Sequence, residues 1–450
     1  MEMQPDNIQR VYLIGIGGIG MSALARYFKY RGAEVSGYDR MPTALTDTLI
    51  AEGMHIHFED DIERLDPGAE LVIYTPAIPR HHAELNFYID NNYPVMKRSE
   101  VLGSLSRDKF TIAVSGSHGK TTVSSMITWI LKHSGYDCTA FLGGICTNFA
   151  SNFVFGQNDV MVAEADEFDR SFMRLYPNIT VVTAVDSDHL EIYGTQAEVE
   201  KAFTEFANKT EAGGLIVAKY GLPIIPGLQQ KVQTYALENT AADLYAAHYR
   251  ITLQGSEVEL NNGIRFTLTY PGLHNIENAI AATTVALQLG VSPEHISSAL
   301  NAFAGIYRRF ERIYSNERMV YFDDYAHHPE EIRMFLKSIR AMYPYKKITA
   351  IFQPHLFTRT RDLADGFAAS LDQADAVILL PIYPAREEPI AGVTSDIILS
   401  RMHNSNRRLL SKEELLDSIR TGAFEVLCTI GAGDIDKLVQ PIKTLLSQKT

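Results

Sequence analysis

Cysteine is scarce in this chain of 450 residues, where Cys138, Cys146 and Cys428 are the only three. None of them forms a close CxxC pair, so we expect small buried thiols in a reducing compartment. Long apolar runs are also missing, because no uninterrupted stretch approaches the roughly 20 residues that cross a bilayer. Residues 1–10 contain no apolar signal core. These absences predict a cytoplasmic protein without a membrane partner.

Basic residues are fewer than acidic ones: the chain has 41 Lys and Arg and 54 Asp and Glu, which gives a net charge of -13. A surface of this sign disfavours general binding of nucleic acid, so we expect no nucleic-acid partner. Anionic ligands would have to bind at local features such as glycine loops, helix N-termini and single Lys or Arg residues. Hydrophobic residues make up 46% of the chain, and its length supports two to four domains.

Three blocks of alternating strand-like and helix-like segments predict an α/β protein of three domains. We place these domains at residues 1–107, 108–313 and 314–450. Within the second block, Tyr249–Tyr270 alternates like antiparallel strands, whereas residues 220–248 indicate only loops and short elements. The other strand candidates are Val11–Ile14, Glu34–Tyr38, Glu70–Tyr74, Phe110–Val114, Val160–Ala163, Thr180–Val185, Met319–Phe322, Ile348–Phe352, Ala376–Leu380 and Val426–Ile430.

A glycine-rich turn follows the first strand candidate, with glycines at Gly15, Gly17, Gly18 and Gly20. The spacing is G-x-G-x-x-G, and Asp39 ends the next strand 19 residues after the last glycine. Glycines here allow a tight turn and let backbone N–H groups approach a diphosphate at the helix N-terminus. The motif alone leaves NAD or FAD, another nucleotide diphosphate and a structural turn open.

A second glycine loop gives the stronger signal, because a strand candidate runs into it and a helix-like run leaves it. Its N–H groups can hold a β-phosphate, its lysine can reach the β- and γ-phosphates, and a Thr hydroxyl can hold Mg²⁺. Val114 stands where the common P-loop has its first glycine, so this is a shortened variant. The alternative is a helix N-terminus with an exposed lysine. The candidate ATP-binding residues are Gly116, Ser117, His118, Gly119, Lys120, Thr121 and Thr122.

Two phosphate loops in tandem favour an enzyme that activates a nucleotide-linked substrate with ATP, since a dehydrogenase needs only the first. Acidic and histidine side chains follow the ATP loop, in a run at 164–167 after one strand and a run at 186–189 that ends the next. Oxygen ligands at strand ends suit Mg²⁺ beside an ATP γ-phosphate. A solvated acidic loop and a structural histidine are the alternatives, but the position of both runs favours a metal site.

Histidine and arginine cluster after two strands of the third block. Asp323–Pro329 follows the first strand, and Gln353–Arg361 follows the second. Clustered His and Arg at strand ends suit recognition of carboxylate and phosphate, Arg through its planar fork. Helix capping and salt bridges at a domain interface are the structural alternative.

Taken in this order, the motifs resemble those of the Mur ligase family over nearly the whole chain. Gly15–Met21 is similar to the family's UDP-binding loop, and Gly116–Thr122 is similar to its ATP loop. His274–Ala279 resembles its adenine-contacting helix start, and Arg308–Phe310 resembles the arginine turn before its last domain. The motifs of the third block are similar to the substrate motifs of the family member that adds alanine.

The resemblance implies both a fold and a reaction. The fold would combine a Rossmann-like N-terminal domain for the UDP-sugar, a central P-loop-type ATPase domain with a mostly parallel sheet, and a Rossmann-like C-terminal domain. The reaction would join L-alanine to the lactoyl carboxylate of UDP-N-acetylmuramate with ATP and Mg²⁺, through an acyl phosphate, in peptidoglycan synthesis. The chain would work as a monomer or homodimer, and domain closure would gate catalysis.

The resemblance also implies roles for individual residues. The first loop's glycines and Asp39 would bind the UDP-sugar, and Asn278, Arg309 and Asp324 the adenosine or phosphate end of ATP. The metal ligands would be Thr121, Glu164 and His189. The alanine and the muramoyl carboxylate would be surrounded by Tyr325, His327, His328, His355, Arg359 and Arg361. The expected catalytic residues are Lys120, His189, His328, His355 and Arg359, with the base for the amine left open between His328 and His355.

Three positions depart from the family's pattern. Ala184 stands where Asn is common, Glu191 replaces a frequent Asp, and Leu356 replaces a frequent Arg, which removes one candidate substrate contact. Competing hypotheses are a recycling ligase that adds a tripeptide to the same UDP-sugar, folylpolyglutamate synthetase, and a non-catalytic nucleotide sensor. An NAD-dependent oxidoreductase is a fourth, but it leaves the second loop and both histidine clusters unexplained.

Overall fold

The computed structural model describes residues 7–186, 190–252, 255–385 and 387–449. Contacts divide the chain into two compact units with separate buried cores. The first unit runs up to His248 and includes Glu259–Phe266 and Glu277–Phe303, and the second comprises Tyr249–Val258, Thr267–Ile276 and residues 304–450. Within the described ranges, no helix has the length and apolar character needed to span a bilayer.

The first unit begins with a five-stranded α/β layer. Its elements are β1 (Arg10–Ile14), α1 (Ile19–Tyr30), β2 (Glu34–Tyr38), α2 (Ala44–Ala51), β3 (His55–His57), β4 (Leu71–Tyr74), α3 (Ala83–Asp90), β5 (Val95–Lys97) and α4 (Arg98–Arg107). The strands are parallel in the order β3-β2-β1-β4-β5. The order reverses direction beside β1, so the first glycine loop lies where doubly wound sheets bind ligands.

The central part of the chain is built on a second, larger sheet. Its elements are β6 (Phe110–Ser115), α5 (Lys120–His133), β7 (Thr139–Cys146), β8 (Ser151–Val154), β9 (Val160–Glu164), β10 (Ile179–Val182), α6 (Leu190–Tyr193), α7 (Gln196–Ala207), β11 (Leu215–Lys219), β12 (Lys231–Ala236), β13 (Leu244–Thr252), β14 (Gly255–Leu260), β15 (Arg265–Leu268), α8 (Leu273–Gln288) and α9 (Pro293–Asn301). Strands β6 to β12 lie in the order β12-β11-β10-β6-β9-β7-β8. Their pairs are parallel except for β7 with β8. Strand β6 is buried except for Phe110, and the ATP loop follows it near the middle of this sheet.

The second unit contains a six-stranded α/β layer. Its elements are β16 (Glu311–Ser315), β17 (Val320–Asp324), α10 (Pro329–Met342), β18 (Ile348–Phe352), α11 (Phe357–Asp362), α12 (Ala364–Leu371), β19 (Ala376–Leu379), α13 (Asp396–Leu399), β20 (Arg407–Leu409), α14 (Lys412–Thr421), β21 (Val426–Ile430) and α15 (Asp436–Ser447). The strand order is β16-β17-β21-β18-β19-β20. The β16–β17 pair is antiparallel, and the other pairs are parallel.

The predicted α/β fold is confirmed, with three separate sheets, and the ends of most strand candidates lie within one or two residues of the ends of an observed strand. Some details were wrong. Strand β10 ends at Val182, so Asp186 lies beyond the strand end. Asp323 and Asp324 lie inside β17, opposite Thr429 and Ile430. Aspartate is disfavoured in strands, which is why the sequence placed both after the strand.

The segment at 220–248 contains loops and short elements, as expected, among them the six-residue β12 and the start of β13. One further prediction about an element boundary was wrong. Asp39 does not end a strand, because β2 stops one residue earlier at Tyr38. Residues Lys231–Tyr235 of the polar β12 pair with β11, so long-range pairing rather than local propensity determines its structure.

Candidate functional site

The first glycine loop folds tightly at the carboxyl end of β1. Gly15 has a φ of +86°, and the N–H groups of Gly15 and Ile16 donate to the carbonyl oxygen of Tyr38 at 2.8 and 3.0 Å. A carboxylate oxygen of Asp39 accepts a hydrogen bond from the N–H of Gly17 at 2.7 Å. The structure therefore brings the Asp39 carboxylate into contact with the first glycine loop.

The ATP loop connects β6 to α5, and two of its glycines are sterically required. Gly116 has a φ of +136°, and an added Cβ there would lie 2.1 Å from Oγ1 of Thr183. Gly119 has a φ of +84° at the N-cap of α5, and an added Cβ would lie 2.8 Å from Oδ1 of Asn278. The loop thus packs against Asn278, the residue expected near adenosine.

Ser117 and His118 tie the ATP loop to the segment after β10. The Ser117 hydroxyl accepts a hydrogen bond from the N–H of Asp186 at 2.8 Å, and the Ser117 N–H donates to the carbonyl of Ala184 at 3.1 Å. Nε2 of His118 lies 3.5 Å from a carboxylate oxygen of Asp186. Ala184 contributes through its backbone, so its departure from the family pattern leaves this contact intact. His189 lies outside the described residues.

Lys120 begins α5 and is held above its own loop. Its ammonium donates to the carbonyl oxygen of Gly116 at 2.7 Å and to both carboxylate oxygens of Glu167 at 2.9 and 2.8 Å. Burial lowers the pKa of Lys120, but the carboxylates of Glu167, Asp166 and Glu164 outweigh it and raise the pKa above its ordinary value. Lys120 is therefore a permanent positive charge at the position where the loop would hold phosphate.

Thr121 and Glu164 form a compact oxygen site beside this lysine, while Thr122 is buried in the same first turn of α5. The Thr121 hydroxyl donates to Oε2 of Glu164 at 2.9 Å, and the N–H of Gly143 donates to the same oxygen at 2.9 Å. Among the described residues, no group of three or more His, Cys, Asp and Glu side chains is arranged to hold a metal. A hydroxyl and a carboxylate at hydrogen-bond distance nevertheless match the hard donors that Mg²⁺ prefers.

A cavity of about 340 Å³ lies between the first glycine loop and this oxygen site. Its lining includes Gly18 and Gly20 of that loop together with Glu164 and Asp166. Arg98, the first residue of α4, also lines it. The cavity therefore connects the first glycine loop to Glu164, the carboxylate that accepts a hydrogen bond from Thr121 at the start of α5.

The arginine turn of the second unit is anchored by a buried ion pair. Nε of Arg308 donates to a carboxylate oxygen of Asp323 at 2.9 Å, and Asp323 is fully buried. The neighbouring Asp324 accepts hydrogen bonds from the N–H groups of Phe310 at 2.6 Å and Ala326 at 2.7 Å. Burial raises the pKa of Asp324 to about 7, although these two hydrogen bonds lower it. Asp324 is thus a carboxyl group that can change its charge near neutral pH.

Several expected substrate residues of the second unit lie close together. The guanidinium carbon of Arg309 lies 5.8 Å from the ring centroid of Tyr325. The ring centroid of His327 lies 5.4 Å from that of Tyr325 and 6.2 Å from that of His355. His355 stacks on Tyr383 at 5.8 Å. Burial lowers the pKa of His327, which keeps this ring neutral at neutral pH.

Glu331 organises the backbone that carries the two adjacent histidines. One of its carboxylate oxygens accepts hydrogen bonds from the N–H groups of His327 at 3.0 Å and His328 at 3.1 Å. This arrangement begins α10, with His328 as the N-cap. Glu331 therefore fixes the position of the backbone from which both imidazole side chains extend.

The arginines of α11 differ in their surroundings. Nε of Arg361 donates to its neighbour Asp362 at 2.7 Å, so this guanidinium already has a carboxylate partner on the surface. Arg359 lies in the same helix, and its charge lowers the pKa of His327 after the larger effect of burial. Leu356, where relatives frequently have Arg, precedes the helix with a φ of +71°. Arg359 therefore lies close enough to His327 for its charge to act on that ring.

Sequence reasoning assigned no individual role to four residues whose contacts the structure shows. Glu167 pairs with Lys120, Arg98 enters the cavity, Asp323 holds Arg308, and Glu331 caps the histidine turn. Two of them carried a readable signal, because Glu167 belongs to the acidic run at 164–167, and Glu331 stands three residues after His328 at a helix start. The other two depend on packing between distant segments.

Family models match most of the chain in three consecutive parts. The Mur ligase family, catalytic domain, matches residues 10–110, the Mur ligase middle domain matches residues 114–286, and the Mur ligase, glutamate ligase domain, matches residues 308–434.

Individual proteins are similar over the full length. A UDP-N-acetylmuramate--L-alanine ligase from Flavobacterium johnsoniae is 46% identical over 99% of this chain and 100% of its own. One from Porphyromonas gingivalis is 44% identical over 98% and 99%. Among solved structures, a UDP-N-acetylmuramate-alanine ligase from Thermotoga maritima covers 99% of this chain and 100% of its own, with a TM-score of 0.83 and 26% identity. The chain therefore belongs to the Mur ligase family.

Proposed function

We propose that this protein is an ATP-dependent, ADP-forming ligase that joins L-alanine to the lactoyl carboxylate of UDP-N-acetylmuramate in peptidoglycan synthesis. The observation that carries the proposal is the cavity that Gly18 and Gly20 share with Glu164. A nucleotide-sugar bound to the first loop would extend its sugar carboxylate toward the ATP loop. Relatives of 44% and 46% identity that bear the name of this activity support the same conclusion.

The chemistry explains why two phosphate loops are needed. A carboxylate forms an amide only after its oxygen becomes a good leaving group. Attack of the lactoyl carboxylate on the ATP γ-phosphorus forms an acyl phosphate and releases ADP, and attack of the alanine amine on the acyl carbon then expels phosphate. Phosphoryl transfer depends mainly on positioning and on stabilisation of charge.

Side chains of the first unit would supply that stabilisation. Lys120 is a fixed positive charge at the loop, where it would contact the β- and γ-phosphates as the remaining loop residues cradle them. Thr121, Glu164 and His189 would hold Mg²⁺, which supplies charge neutralisation at the transferring phosphate when it is bound. Gly15, Gly17, Gly18, Gly20 and Asp39 would bind the UDP-sugar, and Asn278 would contact adenosine.

Side chains of the second unit would complete the reaction. Arg309 and Asp324 would meet the nucleotide, and Tyr325, His327, His328, His355, Arg359 and Arg361 would surround the alanine and the carboxylate. The amine must lose a proton, and His328 and His355 are the candidate bases. We propose a cytoplasmic enzyme that is monomeric or homodimeric. Its domain boundaries are proposed near 107, where α4 ends, and near 313, which lies within β16.

The direct test measures ADP release with ATP, Mg²⁺ and UDP-N-acetylmuramate. L-alanine or the L-Ala-γ-D-Glu-diaminopimelate tripeptide is added in parallel. Release that depends on L-alanine supports the proposal. Release that depends on the tripeptide alone would make the protein a recycling ligase, and no release with either, alongside tight binding of the UDP-sugar, would leave a nucleotide sensor.

A further inference from the structure

Arg98 is the only basic residue among the described residues that line the cavity between the first glycine loop and Glu164. The acidic side chains of Glu164 and Asp166 line the same cavity. An anionic group that enters this space meets two carboxylates and therefore needs a local positive charge. Arg98 is the residue in the lining that can supply it.

The position of Arg98 is defined on both sides. One guanidinium nitrogen lies 3.6 Å from a carboxylate oxygen of Asp166. On the other side, a Cβ added to Gly20 would lie only 2.8 Å from Nη1 of Arg98, so the guanidinium packs directly against the backbone of the glycine loop. Its side chain is 22% exposed, which leaves part of it open to the cavity. Arg98 thus bridges the UDP-sugar loop and the acidic run after β9.

The partner of Arg98 is itself a carboxylate. A separation of 3.6 Å is too long for a strong hydrogen bond, so the pair with Asp166 is loose. A substrate carboxylate could replace Asp166 and form the two parallel N–H···O bonds that arginine offers to a planar anion. The diphosphate of a nucleotide-sugar has other donors, namely the loop N–H groups and the N-terminus of α1.

We propose that Arg98 binds the lactoyl carboxylate of the UDP-sugar and orients it toward the ATP loop. This inference rests on the proposed function, because it assumes a UDP-sugar that carries a carboxylate. When the substrate binds, its carboxylate replaces that of Asp166 as the partner of Arg98. The guanidinium charge then offsets the repulsion between the substrate carboxylate and the carboxylates of Glu164 and Asp166. The preference for a carboxylate-bearing sugar then depends on Arg98.

Lys97 provides a matched control. It is the neighbouring cation, its side chain is 40% exposed, and it pairs with Asp169 at 3.4 Å. It does not line the cavity. Lys97→Gln therefore removes the same charge from the same segment without removing a contact to the cavity.

The experiment compares the binding of UDP-N-acetylmuramate with that of UDP-N-acetylglucosamine, which lacks the lactoyl carboxylate, by calorimetry. For Arg98→Gln we expect about 10- to 100-fold weaker binding of UDP-N-acetylmuramate. Binding of UDP-N-acetylglucosamine should stay within about 3-fold of the original protein, which also shows that the variant is folded. Arg98→Lys should give an intermediate loss, because it keeps the charge without the fork.

Each alternative outcome has a definite meaning. An equal loss for both sugars would assign Arg98 to the diphosphate and overturn the inference, as would no loss for either. An equal loss of UDP-N-acetylmuramate affinity in Lys97→Gln would show that the effect comes from the general positive charge of this segment, and it would overturn the inference. Alanine-dependent ADP release by the unmodified protein is measured alongside, so a failure of the proposed function is recognised separately from a failure of the role of Arg98.

Discussion

The ammonium of Lys120 lies 2.8 Å from a carboxylate oxygen of Glu167, a residue that is almost completely buried. The same ammonium donates to the carbonyl oxygen of Gly116 at the start of the loop. A buried lysine needs such partners, because an unpaired buried charge is strongly unfavourable. Glu167 therefore positions the lysine and maintains its charge at the place where ATP phosphates would bind.

Replacing Lys120 with alanine should abolish turnover, because the loop loses its fixed positive charge. We expect ADP release to fall by a factor of about 10³ or more, since such contacts act in the transition state. UDP-sugar binding, which uses the first glycine loop, should remain largely intact. Lys132→Ala is the control, because Lys132 lies about 18 Å further along the same helix and pairs with Asp137. Unaltered ADP release by the Lys120 variant would refute its assignment.

Replacing Glu167 with glutamine should shift the pH dependence of ATP use. Burial lowers the pKa of Lys120, and the charge of Glu167 is the largest effect that raises it. In the original protein Lys120 keeps its proton well into the alkaline range. Without that charge its pKa falls, so the alkaline limb of kcat/KM for ATP should move to lower pH.

The control for this variant is Glu205→Gln, because Glu205 forms an exposed ion pair with Arg170. Its pH profile of kcat/KM for ATP should match that of the original protein. An alkaline limb that stays in place in the Glu167 variant would show that this carboxylate does not set the charge of Lys120.

Replacing Gly116 with alanine should weaken ATP binding, because the added Cβ collides with Thr183. Gly116 has a φ of +136°, and the new Cβ would lie 2.1 Å from Thr183 Oγ1. Gly135 offers the matched control, because its φ is +79° and nothing lies within 4 Å of an added Cβ. Gly135→Ala should cost about 1–2 kcal/mol of stability from backbone strain alone.

Calorimetric titration with ATP and thermal unfolding separate the two glycine variants. We expect ATP affinity to fall at least about 10-fold in Gly116→Ala and to stay unchanged in Gly135→Ala. Equal ATP affinities in the two variants would mean that the loop tolerates a side chain at Gly116.

Features encoded by short patterns could be predicted from the sequence. The glycine spacing around Gly15 and Gly116 places each turn between a strand and a helix, because positive φ and close approach demand glycine at those points. Apolar runs such as Ile348–Phe352 and Val426–Ile430 coincide with observed strands. Burial on both faces of a parallel sheet makes these runs nearly continuous and therefore readable.

Features that depend on pairing between distant segments could not be predicted. Arg98 and Asp166 meet because α4 packs against residues Phe168–Arg174, just after Asp166, and no local pattern marks either residue as a partner. Asp323 looked like a residue after a strand, yet its pairing with Thr429 and the charge of Arg308 place it inside β17. Long-range register and compensation of buried charge determine such positions.

Glu84 should make the stability of the N-terminal layer depend on pH. This fully buried carboxyl accepts a hydrogen bond from the Tyr12 hydroxyl at 2.6 Å and from the N–H of Asp61 at 3.1 Å. Burial nevertheless raises its pKa to about 7. At pH values between the ordinary pKa of a glutamate and about 7, Glu84 is therefore protonated in the folded protein but ionised in the unfolded chain. The contribution of this proton to the free energy of unfolding is highest at low pH and decreases as the pH rises to about 7.

Glu84→Gln should remove this dependence, because a glutamine keeps the shape and never ionises. Its stability relative to the original protein should rise by about 1–3 kcal/mol between pH 5 and pH 8. Urea unfolding at both pH values measures the difference, and Glu63→Gln is the control because Glu63 is exposed. The Tyr12 hydroxyl lies 2.7 Å from Nε2 of His57, so it can donate there and accept from the new amide. A difference in stability that is the same at both pH values would show that Glu84 is already ionised in the folded protein at pH 5.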